Sequence, residues 1–276
     1  MSSPQPQSDP VRVDALVLSN GPLEGSSGGL GIRLVLSADG WPGFSPGQFV
    51  MVSPGARGET ERTDPLLPRP MAVYRTRPVA GGAEVEVLYQ AVGRGTALLA
   101  EAKPGERVRL VGPLGRGFPL PDRRSVLVGG GTGIASLFEL ASRSPRGTIE
   151  LILGARSEAG LLGLADFQAL GAPLSLTTED GSAGEKGLVS APLQRALEAG
   201  GVDAVYACGP TPMMARCAEL AAKHGIRCLV SLENTMACGF GVCLGCAAPR
   251  ASEGYALVCR DGPVFEADCI DWASLP

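Results

Sequence analysis

The sequence has one histidine, His224, in 276 residues. At most one Ser/His or Cys/His pair could be built from it, and no H-E-x-x-H metal motif is present, so hydrolytic chemistry of those kinds has little to work with. His224 itself falls late in a helical stretch just before Gly225, a place where it reads as a C-terminal cap. Cysteine is missing from the first 207 residues, although eight follow. An excess of basic charge is missing as well. With 24 Lys and Arg against 28 Asp and Glu, the net charge is −4 and the cations are scattered, which leaves no footprint for nucleic acid or an anionic membrane. The apolar runs are strand- or helix-sized, so none is expected to cross a bilayer. The opening MSSPQPQSDP lacks an apolar core and reads as a frayed tail instead of a signal peptide. A reducing cytoplasm is therefore the expected compartment, where clustered cysteines bind metal more often than they form disulfides.

What is present is a chain 45% apolar with 39 glycines, enough to bury a substantial core in two or three domains. Its first part reads as short, partly alternating runs between Gly/Pro turns: VRVDALVLSN, LGIRLVLSADG, GQFVMVS, PMAVYRTRP, AEVEVLYQAV and ERVRLVG. That grammar predicts a small antiparallel barrel over residues 10–120. Its one helix is expected in GRGTALLAEAKPG, with Thr96 as N-cap and Lys103-Pro104-Gly105 as the stop. Gly93 and Gly95 ahead of that cap make a candidate phosphate site or a simple helix start.

The middle, residues 121–228, changes period. SVLVGGGTGIASLFELA is a strand over 125–128, a glycine turn at Gly129-Gly130-Gly131-Thr132-Gly133, and a helix with apolar residues at Ile134, Leu137, Phe138 and Ala141. The turn is not a G-x-G-x-x-G fingerprint, yet free N–H groups at a helix start suit a phosphate. TIELILGAR, LSLTTED, AVYACGP and RCLVSLE follow as strands, with helices expected over 161–170, 189–198 and 212–224. Alternating strands and helices predict a doubly wound parallel sheet that binds its ligand beyond the carboxyl ends of its strands. Gly129–Gly133, Thr178-Glu179-Asp180 and Cys208-Gly209-Pro210 all fall at such ends and should converge on one crevice.

In residues 229–276, Cys238, Cys243 and Cys246 are spaced C-x4-C-x2-C, and Cys259 follows after twelve residues. The first three have the spacing of plant-type 2Fe-2S sites. A structural zinc site more often takes its ligands as two short-spaced pairs. Gly239, Gly241 and Gly245 let the loop wrap closely and turn N–H groups toward sulfur, which favours the cluster. YALVCRDGPVF is expected to form a hairpin turning at Asp261-Gly262-Pro263, with Cys259 at its tip. Cys217 and Cys228 read as buried small hydrophobes. Cys269 is a fallback ligand, and the methionines of TPMM (211–214) read as core.

The ordered series Arg69-Pro70-Met71-Ala72-Val73-Tyr74, GRGT, GPLGRGF, GGGTG, YACGPTPMM, SLENTMACGFGVCLGC and CRDGPVF resembles the electron-transfer subunits of class 1B dihydroorotate dehydrogenases, in the ferredoxin-NADP reductase superfamily. The resemblance runs over nearly the whole chain after residue 10. It implies FAD, a 2Fe-2S cluster and NAD as co-substrate. It assigns Arg69 to the FAD pyrophosphate, Pro70, Met71, Ala72 and Val73 to the flavin ring, and Gly93, Gly95 and Thr96 to the FAD diphosphate. Gly129, Gly130, Gly131, Thr132 and Gly133 would face the pyridine-nucleotide diphosphate, and Cys208, Gly209 and Pro210 the nicotinamide. Cys238, Cys243, Cys246 and Cys259 would hold the cluster. The implied partner is an FMN-containing dihydroorotate dehydrogenase catalytic subunit, in a heterotetramer, with no catalytic residue for dihydroorotate on this chain.

The family usually has Ser or Thr where this chain has Ala72; FAD is expected to bind all the same, with slower hydride exchange. Arg156 and Ser157, after the second strand of the parallel sheet, keep NADP open. Glu233 is expected either at the meeting of the three regions or in a surface ion pair. Two rival readings remain at this stage. One is a reductase subunit for another oxidoreductase, of hydrogenase or ferredoxin-NADP reductase type. The other is a zinc module with a decayed flavin site.

Overall fold

The computed structural model describes residues 9–23, 31–54 and 64–275; most of the polar opening segment lies outside them. Alternating apolar residues make the first part a seven-stranded antiparallel sheet. Its strands are β1 (Val11–Pro22), β2 (Ile32–Asp39), β3 (Phe49–Ser53), β4 (Arg69–Ala72), β5 (Arg75–Val79), β6 (Gly82–Tyr89) and β7 (Arg107–Leu114), in the order β4-β3-β7-β1-β2-β6-β5. The sheet curls so that β4 approaches β6, a half-barrel around Val17, Leu34, Leu36, Val50, Val85 and Leu110. The run PMAVYRTRP is two strands, since the chain leaves β3 after Ala72 and pairs with β6 from Arg75.

The barrel's helix, α1, is Arg94–Ala100 and starts a turn earlier than expected: Gly93 is the N-cap. Thr96 sits three residues in, where its Oγ1 accepts the N–H groups of Val92 and Gly93 at 3.0 and 3.1 Å. It caps from inside the first turn.

The second unit is built on β8 (Ser125–Gly130), with α2 (Phe138–Arg143), β9 (Ile149–Ala155), α3 (Leu164–Ala169), β10 (Leu174–Thr178), the two-residue β11 (Glu185–Lys186), α4 (Ser190–Glu198), β12 (Ala204–Cys208), α5 (Thr211–Lys223) and β13 (Arg227–Ser231). Strand order is β11-β10-β9-β8-β12-β13, all parallel. Both faces are covered by helices, which is why β8 and β12 are buried at every position and read as continuous apolar runs. The chain leaves β8 toward β9 on one side and later returns as β12 on the other. The carboxyl ends of β8 and β12 therefore flank a topological switch point. Gly131–Leu137 is 3-10 helix, and the α-helix begins only at Phe138. The expected helix start at the glycine turn is thus a tighter turn. On α5, Met214, Cys217, Leu220 and Ala221 face the core, and its C-cap is His224, as the sequence indicates.

The last segment is tied to both units. A small hairpin of β14 (Ala247–Pro249) and β15 (Tyr255–Leu257) leads into α6, a single turn at Val258–Asp261, and then β16 (Val264–Glu266). β16 joins the edge of the parallel sheet, antiparallel to β13. The expected hairpin around Asp261-Gly262-Pro263 does not form, because its two arms pair in different sheets, and Cys259 lies on the α6 turn. One continuous core runs from Val126, Val128 and Leu193 to Cys246 and Cys259, and on to Phe49, Met51 and Leu114 of the barrel.

Candidate functional site

The three strand ends meet as expected. A cavity of about 760 Å³ opens at the switch point, walled by Gly130, Gly131 and Thr132 after β8, Arg156 and Ser157 after β9, Thr177 and Glu179 at β10, and Pro210 and Met213 after β12. Gln90 closes it from the barrel side. The glycines leave room that a side chain would fill, and at Gly133 backbone contact requires it. A Cβ on Gly133 would stand 2.5 Å from the Gly209 nitrogen and 2.6 Å from the Cys208 carbonyl; one on Gly130 would stand 2.3 Å from the Met213 sulfur. Gly131 instead has a positive φ of 55°. The glycine turn and the Cys208-Gly209-Pro210 turn are therefore packed backbone to backbone.

Cys208 is buried, its Sγ donating to Ser231 O at 3.5 Å, and burial followed by the nearby Glu233 carboxylate pushes its thiol up to about 12. It is a neutral packing group in the core behind the cavity wall. Glu233 lines the cavity, with no ion pair among the described residues, and its protein surroundings push its carboxyl above the ordinary range. Of the two expectations, the surface ion pair does not form among the described residues; Glu233 sits on the nucleotide cavity.

Sequence reasoning missed three residues here. Thr178, singled out with the strand end, spends its hydroxyl on Ala183, accepting its N–H at 3.0 Å and donating to its carbonyl at 2.8 Å. It is Thr177 that lines the cavity, with a buried hydroxyl unpartnered among the described residues. Such a group costs free energy unless a ligand supplies the partner. Alternation along β10 separates the two threonines, but the faces can be assigned only once the sheet order is known. Met213, expected in the core, faces the cavity against Gly130 and Gly209; only Met214 is core. Gln90 had no motif to mark it.

On the barrel side, the flavin candidates occupy β4, an edge strand. Met71 and Val73 turn into the barrel core, so they offer a ligand only backbone. Pro70 and Ala72 face away from the core. Val73 N–H bonds Gln48 O at 3.2 Å; by the alternation of an antiparallel pair the Ala72 N–H points off the open edge. Arg69 and α1 come together: a Cβ on Gly95 would lie 1.9 Å from the Arg69 Nε. The guanidinium thus lies across Gly95, beside Gly93 and Thr96. The missing Cβ leaves room for the guanidinium in this position, a bidentate donor suited to a diphosphate.

The four thiols fall as two pairs. Cys246 Sγ donates to Cys259 Sγ at 3.1 Å, and the Cys259 N–H reaches Cys246 Sγ at 3.4 Å. Cys238 is hydrogen-bonded to the Cys243 side chain. Burial opposes ionisation of Cys238, but backbone N–H groups of Cys243, Phe240 and Val242 outweigh it and bring the thiol down to about 6. Cys259 goes the other way, to about 12, through burial and then its neighbour Cys246. Gly239 and Gly241, at φ 86° and 87°, and Leu244, the one non-glycine residue with positive φ among the described residues, bend the loop around them. Among the described residues no three His, Cys, Asp or Glu side chains gather tightly enough for a single metal ion. Two thiol pairs with N–H groups aimed at sulfur fit a two-iron cluster better than one zinc. Cys217 and Cys228 are core, as expected. Cys269 is exposed past β16, where its charged neighbours are Asp268, Glu266 and Arg250.

A curled antiparallel sheet joined to a doubly wound sheet, with the crevice between them, defines the ferredoxin-reductase class of oxidoreductase. The NADH-dependent reduced ferredoxin-NADP oxidoreductase is similar over 95% of this chain and 91% of that one, with TM-score 0.79 and 27% identity. The Neisseria gonorrhoeae ferredoxin NADP+ reductase with bound FAD and NADP shares the fold, with TM-score 0.58 and 18% identity over 78% of this chain and 92% of that one. Residues 233–271 match the iron-sulfur cluster binding domain of dihydroorotate dehydrogenase B, and residues 127–219 the oxidoreductase NAD-binding domain. The dihydroorotate dehydrogenase B (NAD(+)) electron transfer subunit of Caldanaerobacter subterraneus subsp. tengcongensis is 40% identical over 83% of this chain and 88% of its own length. That of Geobacillus kaustophilus is 39% identical over 80% and 85%. This chain belongs to the family of dihydroorotate dehydrogenase B electron transfer subunits, redox components that work with a separate catalytic subunit. No helix among the described residues is long and apolar enough to cross a membrane.

Proposed function

We propose that this chain carries electrons from the FMN of a cytoplasmic dihydroorotate dehydrogenase catalytic subunit, through a 2Fe-2S cluster and FAD, to NAD. One observation carries the reading: the thiol loop is seated on the barrel and open to the outside. A Cβ on Gly239 would touch Met51 and Leu114, at 2.6 and 3.0 Å. At the other side of the loop Phe240, Val242 and Leu244 are 55, 73 and 61% exposed. Apolar side chains exposed around a thiol site whose Cys243 is itself exposed suit a partner subunit that closes over it.

In this reading residues 10–120 hold FAD, residues 121–228 hold the nucleotide and residues 229–276 hold the cluster. Bound flavin can exchange a hydride with nicotinamide and single electrons with a cluster. The chain's part is to bind and orient. Arg69 lies over Gly95 to hold the FAD diphosphate with Gly93 and Thr96. The outward N–H of Ala72, with Pro70 beside it and Met71 and Val73 behind, borders the ring. Gly129–Gly133 receive the NAD diphosphate, and Cys208-Gly209-Pro210 the nicotinamide. Cys238, Cys243, Cys246 and Cys259 hold the cluster as thiolates. Glu179 shares a cavity wall with Arg156, and a carboxylate there suits a ribose hydroxyl and repels a 2′-phosphate, which supports NAD over NADP. The assembly is a heterotetramer of two relay and two catalytic subunits.

The test is anaerobic turnover of the purified protein with the catalytic subunit from the same genome, following dihydroorotate-dependent reduction of NAD. Cys243→Ser is expected to abolish this while leaving bleaching of the flavin by NADH intact. NAD reduction undiminished in that variant would remove the cluster from the path.

A further inference from the structure

The most completely buried polar side chain between the two units has no role so far. Tyr74 follows β4 and its side chain is fully buried. Its hydroxyl donates to Asp166 Oδ2 at 2.8 Å, across to α3 of the other unit. Asp166 also takes Arg33 from β2. Glu86 of β6 receives Arg75 through two bonds of 3.1 and 2.9 Å, and Arg33 at 3.2 Å. The two guanidinium carbons stand 5.6 and 5.8 Å from the Tyr74 ring centre. The ring stacks on Phe138 at 4.5 Å, and Phe138 meets Phe167 edge-on at 5.2 Å. Space for the hydroxyl comes from Gly163, at φ 69°, where a Cβ would lie 2.6 Å from it.

An all-apolar contact would hold the two units together at least as well as this network, since desolvating charges offsets most of what their attraction returns. What a directional network adds is a single geometry. Its placement says which geometry matters. Tyr74 is two residues from Ala72 on the edge strand. Its ring lies on Phe138, the first residue of α2, which continues directly from the 3-10 turn that opens at Gly131. One side chain therefore links the flavin-side strand to the nucleotide turn.

We propose that Tyr74, held by Asp166, is a positioning residue for hydride exchange: it sets the separation of β4 and the glycine turn, and with it the approach of nicotinamide to flavin. In that exchange NADH gives up a hydride and becomes NAD+, and the flavin would take the hydride whole, hydrogen and electron pair together. The proposal rests on the cofactor placement given above.

Tyr74→Phe keeps the ring and its stacking and removes only the hydroxyl. In the complete complex the limiting rate of flavin bleaching by NADH, read by stopped flow, is expected to fall about tenfold, since a misplacement well under 1 Å carries losses of that order. The dissociation constant for NADH and the FAD and iron contents stay unchanged. Hydrogen exchange should rise together in residues 69–75 and 163–169, a readout independent of turnover. Asp166→Ala gives the same result from the other side of the bond, and decides the matter if Tyr74→Phe does not fold; Asp166→Asn, which still accepts the hydroxyl, keeps most of the rate. A wild-type limiting rate in both Tyr74→Phe and Asp166→Ala overturns the proposal, as does a fall that merely tracks lost FAD. A wild-type protein without FAD, or one that NADH does not bleach, overturns the cofactor placement instead and takes the proposal with it.

Discussion

The nucleotide unit and the barrel build their candidate binding surfaces by opposite means. The parallel sheet offers backbone. Its central strands β8 and β12 are buried throughout, its glycine turn packs against the Cys208-Gly209 backbone, and the atoms that face the cavity are those left over where strands end. The barrel offers an open edge: β4 has one face in the core, through Met71 and Val73, while the outward N–H of Ala72 and the Arg69 guanidinium do the facing. A surface made of packed backbone has almost no tolerance for an added atom. A surface made of an edge strand can be adjusted one side chain at a time. The same chain therefore carries a rigid half and a tunable half.

The comparison breaks first at Gly133. Its missing Cβ would overlap the Gly209 nitrogen and Cys208 carbonyl, both main-chain groups with nowhere to go. Gly133→Ala should push the two turns apart and lower the limiting rate of flavin reduction by NADH about a hundredfold, with the cluster's paramagnetic signal retained. A near-normal rate in stopped flow would show that the turns are looser than they look. The tunable half is probed at Ala72. Ala72→Ser places a hydroxyl on the outward side of β4, where the family usually has one. A hydrogen bond worth about 1 kcal/mol corresponds to a gain of about fivefold in that rate. An unchanged rate would mean that the backbone N–H already suffices.

How much of this was legible in the sequence follows the same division. The cluster-binding segment was legible because its cysteines keep the spacing of such sites, and the strand-end turns because glycine and proline mark them. The barrel strands showed through their alternation. What alternation cannot state is the partner: YALVCRDGPVF reads as one hairpin, yet Tyr255–Leu257 pairs with β14 and Val264–Glu266 with β13. Thr177 and Thr178 are likewise indistinguishable until the sheet assigns their faces, and Thr96 caps from a position that composition alone does not separate from the N-cap. Tyr74 and Asp166 lie 92 residues apart. The series that ends at Tyr74 gives that residue no role, and no pattern marks Asp166, because their roles exist only where the two units meet.

That junction gives the smallest effect and joins the two halves of the comparison. Asp166 is partly buried, which by itself would raise its carboxyl, but the Tyr74 hydroxyl and then Arg33 outweigh this and hold it below the ordinary carboxylate range. A carboxylate depressed in the folded state stabilises the fold at pH values above its unfolded pKa of about 3.9, and that contribution disappears as pH falls through the lower folded value. Asp166→Asn removes the charge while keeping an acceptor for Tyr74. The stability gap between wild type and this variant should therefore be flat from neutral pH to about 5, at about 1 kcal/mol after solvent screening, and should close below about 4. Urea unfolding across that range measures it. A gap that persists into strong acid would assign the cost to the lost shape of the carboxyl group and not to its charge. The junction would then be a matter of fit, like the glycine turn, instead of one that charge can tune.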